Sequence, residues 1–101
     1  MVKYGHNLHG AMQIIFANLL YDVLDDPNEA EWKGLCISLQ TLGYISWETI
    51  DAYWNVHKDG YRGYGGACFP KDVDAMRGWL AGKAELLDGM AKANARLRGE
   101  S

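Results

Sequence analysis

The sequence predicts an all-α fold of about five helices, the first of them long. Three observations lead there. Apolar residues recur at three- and four-residue spacing, no segment alternates with the period of a strand, and glycines and N-cap residues fall between the periodic stretches. At 101 residues the chain reads as one domain, 1–101. A chain this size buries roughly two-thirds of the surface it exposes when unfolded, so its single core is thin.

From Lys3 to Asp25 the pattern is helical, with Leu8, Met12, Ile15, Phe16, Leu19, Val23 and Leu24 on one broad stripe that Ala11, Ile14 and Leu20 widen further. A helix apolar over so much of its circumference needs neighbours on more than one side, and a second copy of the chain is an obvious source. Next, Asp26 is placed to cap a second helix, with Pro27 at its first position and Glu29 completing a capping box. That helix runs to about Leu42 and stops at Gly43. Ser46 caps a third, with Ile45 and Ile50 as a hydrophobic staple, ending near His57. Residues Lys58 to Ala67 form a loop containing Gly60, Gly63, Gly65 and Gly66. Pro70 opens a helix carrying Val73, Met76 and Leu80, and Gly82 breaks it. A last helix from about Ala84 to Arg98 directs Leu86, Leu87, Met90 and Leu97 inward.

Composition removes several function classes. A formal charge of −3 with mixed signs throughout gives no basic footprint for nucleic acid. The most apolar stretch, Ile14 to Leu24, is interrupted by Asn18 and Asp22 and is too short to span a bilayer. Lys3, His6, Asn7 and His9 break up any signal-like run at the start. Cys36 and Cys68 are far apart and form no Cys-x-x-Cys pair. The expectation is a soluble, cytoplasmic protein with reduced thiols. His6 and His9 share a helical face at three-residue spacing but have no acidic or cysteine partner nearby in sequence, so no metal site is expected. Trp32, Trp47, Trp54 and Trp79 read as core or interface residues.

The chemistry concentrates in Gly63-Tyr64-Gly65-Gly66-Ala67-Cys68-Phe69-Pro70-Lys71-Asp72. Cys68 falls at or just before a helix N-terminus, where unpaired N–H groups favour a thiolate, and Lys71 adds a positive charge within one turn. Gly65 and Gly66 let a substrate approach the backbone closely. Asp72, one turn beyond Cys68, is placed to hold or activate a water.

This segment resembles the active-site motif of the UDP-glucose and GDP-mannose dehydrogenases. Lys3 and Asn7, four residues apart on one helical face, match the opening of that family's central domain, as does Phe16-Ala17-Asn18, and the resemblance extends to Asn94 in the last helix. The resemblance implies a central dimerisation domain, with Cys68 as nucleophile toward a C6 aldehyde. It further implies that Lys3 and Asn7 stabilise the oxyanion, that Asp72 handles water, and that Tyr64, Gly65, Gly66 and Lys71 line the substrate site. Family members use NAD and a UDP- or GDP-sugar, and dimerise through the long helix. A homodimer is therefore expected, with a full-length or split dehydrogenase as a further partner.

The chain departs from the family in several places. It has no Gly-x-Gly-x-x-Gly after a strand, so no NAD site is expected in it. Leu19 stands where the family has Glu, and the Arg-Ile-Gly run that supplies a substrate arginine is missing. Lys58 and Arg62 are the nearest basic replacements. The reading is a dimerising module inactive by itself, or a catalytic part that works with nucleotide-binding domains supplied in trans.

Overall fold

A computed structural model describes residues 1–57 and 62–99. Five helices appear in order, α1 (Val2–Val23), α2 (Glu29–Thr41), α3 (Trp47–Tyr53), α4 (Cys68–Trp79) and α5 (Glu85–Leu97), with no strand among the described residues. The fold is all-α, with the long helix first.

α1 is the axis on which the others assemble. At 1.5 Å per residue its 22 residues reach about 33 Å, most of the 40 Å long dimension of the molecule. Its N-terminal half packs on α4 and α5 around Ala11, Tyr64, Val73, Met76, Leu87 and Met90. Its C-terminal half packs on α2 and α3 around Ala17, Cys36, Trp54 and Val56. Small residues make the approach possible. At Gly10 a Cβ would lie 2.8 Å from Phe69 Cζ and 3.0 Å from the Tyr53 ring, so a side chain there would push both α3 and α4 away.

Local signals set most helix ends. Gly43, at φ +82°, closes α2 in a Schellman turn, donating to the Gln40 carbonyl while Tyr44 N–H reaches back to Leu39. Ser46 caps α3 by accepting from Thr49 N–H, and the staple residues Ile45 and Ile50 pack on the same core cluster. Gly82, at φ +83°, turns the chain between α4 and α5.

Four expectations need correction. α2 is capped by Asn28, not Asp26: the Asn28 side chain accepts from Glu31 N–H, and the Glu31 carboxylate accepts from Asn28 N–H. Asp25 and Asp26 both adopt φ +57°, a left-handed conformation incompatible with an N-cap, and Asp26 instead accepts from the Tyr21 hydroxyl. α3 ends at Tyr53, so His57 lies beyond the helix it was expected to end. α4 begins at Cys68, two residues before Pro70. Leu86 points outward with 66% exposure, because α5 turns Leu87, Met90 and Asn94 to the core instead.

Candidate active site at the glycine loop

The site is built where α1, α4 and the segment between α3 and α4 meet. Asn7 and Lys3 lie one turn apart on α1, and Cys68 and Asp72 lie one turn apart on α4. The two helices are joined here by a hydrogen bond of 2.5 Å from Asn7 Nδ2 to Asp72 Oδ2. Residues 65 positions apart in sequence thus meet side chain to side chain. Asp72 is only 1% exposed. Its second oxygen faces Lys71 Nζ at 3.8 Å, so the buried carboxylate has a donor at one oxygen and a cation near the other. Lys71 itself is exposed, as is Lys3, which has no ion pair among the described residues.

Cys68 is the first residue of α4 and is exposed. Ala67 precedes it and offers no side-chain cap, so no N-cap side chain competes with an anion for the first-turn N–H groups of Cys68 and Phe69. Cys36, on α2, is buried among Ala17, Trp54 and Val56, and desolvation raises its pKa.

The glycine loop is held from two sides. Asn94 on α5 accepts from Tyr64 N–H at 2.6 Å and donates to the Tyr64 carbonyl at 2.9 Å, pairing with its backbone as a neighbouring strand would. Gly63, at φ +83°, sits where a Cβ would collide with the Asn94 amide, so glycine is required there on both counts. On the other side, Arg62 reaches α1. Its Nε donates to Asn18 Oδ1 at 2.9 Å, one terminal nitrogen to the Asn18 carbonyl at 3.0 Å, and the other to Asp22 at 2.8 Å.

Arg62 is engaged with α1 through three nitrogens, and Lys58 and Gly60 lie outside the described residues. The Tyr64 ring belongs to the core beside Ala11 and Val73, and burial raises its pKa. A cavity of about 290 Å³ opens beside the loop, walled by Gly63, Gly65, Phe69, Tyr53, Asn55 and other residues. Cys68, Asn7 and Asp72 are not among its lining residues. His6 and His9 are exposed on α1, His9 beside Gln13.

The roles of Arg62 and Asn18 were missed by the sequence reading. Asn18 stands out in the sequence as an interruption of an apolar run and as part of Phe16-Ala17-Asn18, but nothing local points from it to a loop 44 residues away. No strand precedes the loop among the described residues. Comparison with protein-family models, curated proteins and solved structures finds no match to this chain.

Proposed function

We propose that this chain is the central, dimerising domain of a nucleotide-sugar 6-dehydrogenase, associating with a second copy and not oxidising a sugar by itself. The observation that carries the reading is the Asn7–Asp72 hydrogen bond. It joins the two parts of the motif, Lys3/Asn7 and Cys68/Asp72, which the resemblance requires to work together. In that role the Cys68 sulfur adds to the C6 aldehyde of the nucleotide sugar. The new S–C bond forms as the carbonyl electron pair moves to oxygen, and the thiol proton ends on that oxygen. The second Asn7 amide hydrogen and the Lys3 ammonium would stabilise the charge while it develops.

Dimerisation is supported by the opposite side of α1. Met12, Phe16, Leu19 and Val23 fall within about 60° of one another around the helix axis, and all four are exposed, Leu19 at 55%. Sedimentation equilibrium at micromolar concentration should give a dimer, and Leu19→Glu should convert it to a monomer of unchanged helix content. A wild-type monomer would reject this part of the reading.

Thiol chemistry is tested by alkylation at neutral pH. Cys68 should label well before Cys36 and faster than a cysteine in an unstructured peptide, with Lys71→Ala slowing it. A peptide-like rate would mean that the motif persists without activating its thiol. The retained, buried Asp72 also favours a second reading, a catalytic part completed in trans. A full-length dehydrogenase lacking its own cysteine would then recover activity with this chain but not with its Cys68→Ser variant.

A further inference from the structure

We infer that Arg62 is a positioning residue for this site: its guanidinium fastens the entrance of the glycine loop to α1, and that fastening sets the backbone beside which Cys68 reacts. The inference rests on the reading of Cys68 as the nucleophile. Three features of the geometry carry it. First, the attachment uses the planar fork of arginine, with Nε and one terminal nitrogen both directed to Asn18, the other terminal nitrogen on Asp22, and the guanidinium carbon 5.0 Å from the centre of the Tyr21 ring. Lysine has one point charge and cannot reproduce that arrangement.

Second, the receiving group is itself fixed. Asn18 is 1% exposed, and its amide donates to the Ile14 carbonyl at 2.8 Å, so Oδ1 is turned toward Arg62. Third, little slack separates the latch from the thiol. Asn94 holds Tyr64 two residues after Arg62, with Gly63 between them in a conformation that no other side chain fits. Only Gly65-Gly66-Ala67 then connects Tyr64 to Cys68, and Cys68 is already the first residue of a packed helix. A change at Arg62 therefore reaches the loop glycines and the start of α4 directly.

The test uses the full chain with Arg62→Ala, Arg62→Lys and Asn18→Leu, with circular dichroism confirming helix content. Two quantities are read: amide exchange at Tyr64, and the pH–rate profile of Cys68 alkylation. Arg62→Ala should speed Tyr64 exchange about tenfold, as expected for a local opening released from one anchor, and should displace the alkylation profile. Arg62→Lys should follow Arg62→Ala, because charge is kept and the fork is lost. Asn18→Leu should do the same, and the Arg62→Ala/Asn18→Leu double variant should add nothing further.

Wild-type behaviour in Arg62→Lys would show that charge alone matters and would overturn the inference. A loosened loop with an unchanged Cys68 profile would overturn it too, leaving Arg62 a merely structural anchor. Failure of the nucleophile reading is seen separately, in wild-type Cys68 labelling no faster than in an unstructured peptide. Should Arg62→Ala lose its helices, Arg62→Lys and Asn18→Leu carry the same comparison.

Discussion

The two halves of the molecule are held to α1 by different physics. On the α4/α5 side the contacts are directional: Asn7 to Asp72, Asn94 to both backbone groups of Tyr64, and a compact set of aliphatic residues beneath them. On the α2/α3 side the contacts are mainly rings. Trp32 stacks on Trp54 with centroids 5.8 Å apart, while Tyr21 meets Trp32 and Phe16 meets Trp54 edge to face. Rings fill volume and tolerate small displacements, whereas paired amides and carboxylates demand a register. The candidate site lies on the side where register is demanded. Among the described residues no buried side-chain nitrogen or oxygen lacks a partner, so the directional side carries its polar groups without an unmet bond.

That contrast is broken most severely by Trp54→Ala. The side chain is 1% exposed, and its indole N–H donates to Gln13 at 3.0 Å. The Trp32 ring stacks on it, so the loss also loosens a second ring. A cost of about 3–5 kcal/mol is expected, a large share of the stability of a domain this small. Urea denaturation followed by circular dichroism measures it. Because the site lies on the other half, Cys68 alkylation in the remaining folded fraction should keep its wild-type rate.

Asn94→Ala should cost somewhat less, roughly 2–4 kcal/mol, by leaving the buried N–H and carbonyl of Tyr64 without their partner. Its effect on the site should be larger than that of Trp54→Ala, since the glycine loop loses the paired bonds from Asn94. Denaturation and Cys68 labelling on the same two variants therefore separate the halves. If Trp54→Ala disturbs labelling more than Asn94→Ala does, the division between a volume-filling half and a position-setting half is wrong.

The sequence disclosed these two halves unequally. The capping serine of α3, the Schellman glycine of α2 and the staple of Ile45 and Ile50 are local devices, readable within five or six residues, and they stand where expected. Which face of α1 turns inward was not readable. Both faces are apolar, so periodicity gives no preference, and the choice is made by Gly10, Ala11 and Ala17, small enough to admit neighbouring helices. The expected stripe is split: Leu8 and Ile15 pack against the core, while Met12, Phe16, Leu19, Val23 and Leu24 are exposed. At the site, Asn7 and Asp72 were paired only through a family resemblance. Their contact crosses 65 residues and leaves no mark on the local pattern of either helix. Asp26 fails as a cap because it and Asp25 take left-handed conformations, which the local sequence pattern does not announce.

The smallest expected effect is also the most symmetrical test of the two halves. Each buries a group that titrates only at high pH, Cys36 on α2 and Tyr64 in the glycine loop. Desolvation raises both pKa values, from ordinary values of 9.0 and 10.0; at Tyr64 the Asp74 charge adds to the rise and Arg77 opposes it. A raised native pKa means that the folded state keeps its proton after the unfolded chain has released it. The associated stability is complete below the ordinary value and is lost as pH climbs through the raised one. The α2/α3 half should therefore weaken first, above about pH 9, and the α4/α5 half above about pH 10. Trp fluorescence should change before the far-ultraviolet dichroism contributed by α4 and α5. Cys36→Ala should remove the earlier step and Tyr64→Phe the later one, each leaving the other in place. A single transition unaffected by either substitution would mean that the two halves unfold as one unit, and that their different chemistry does not make them separate in stability.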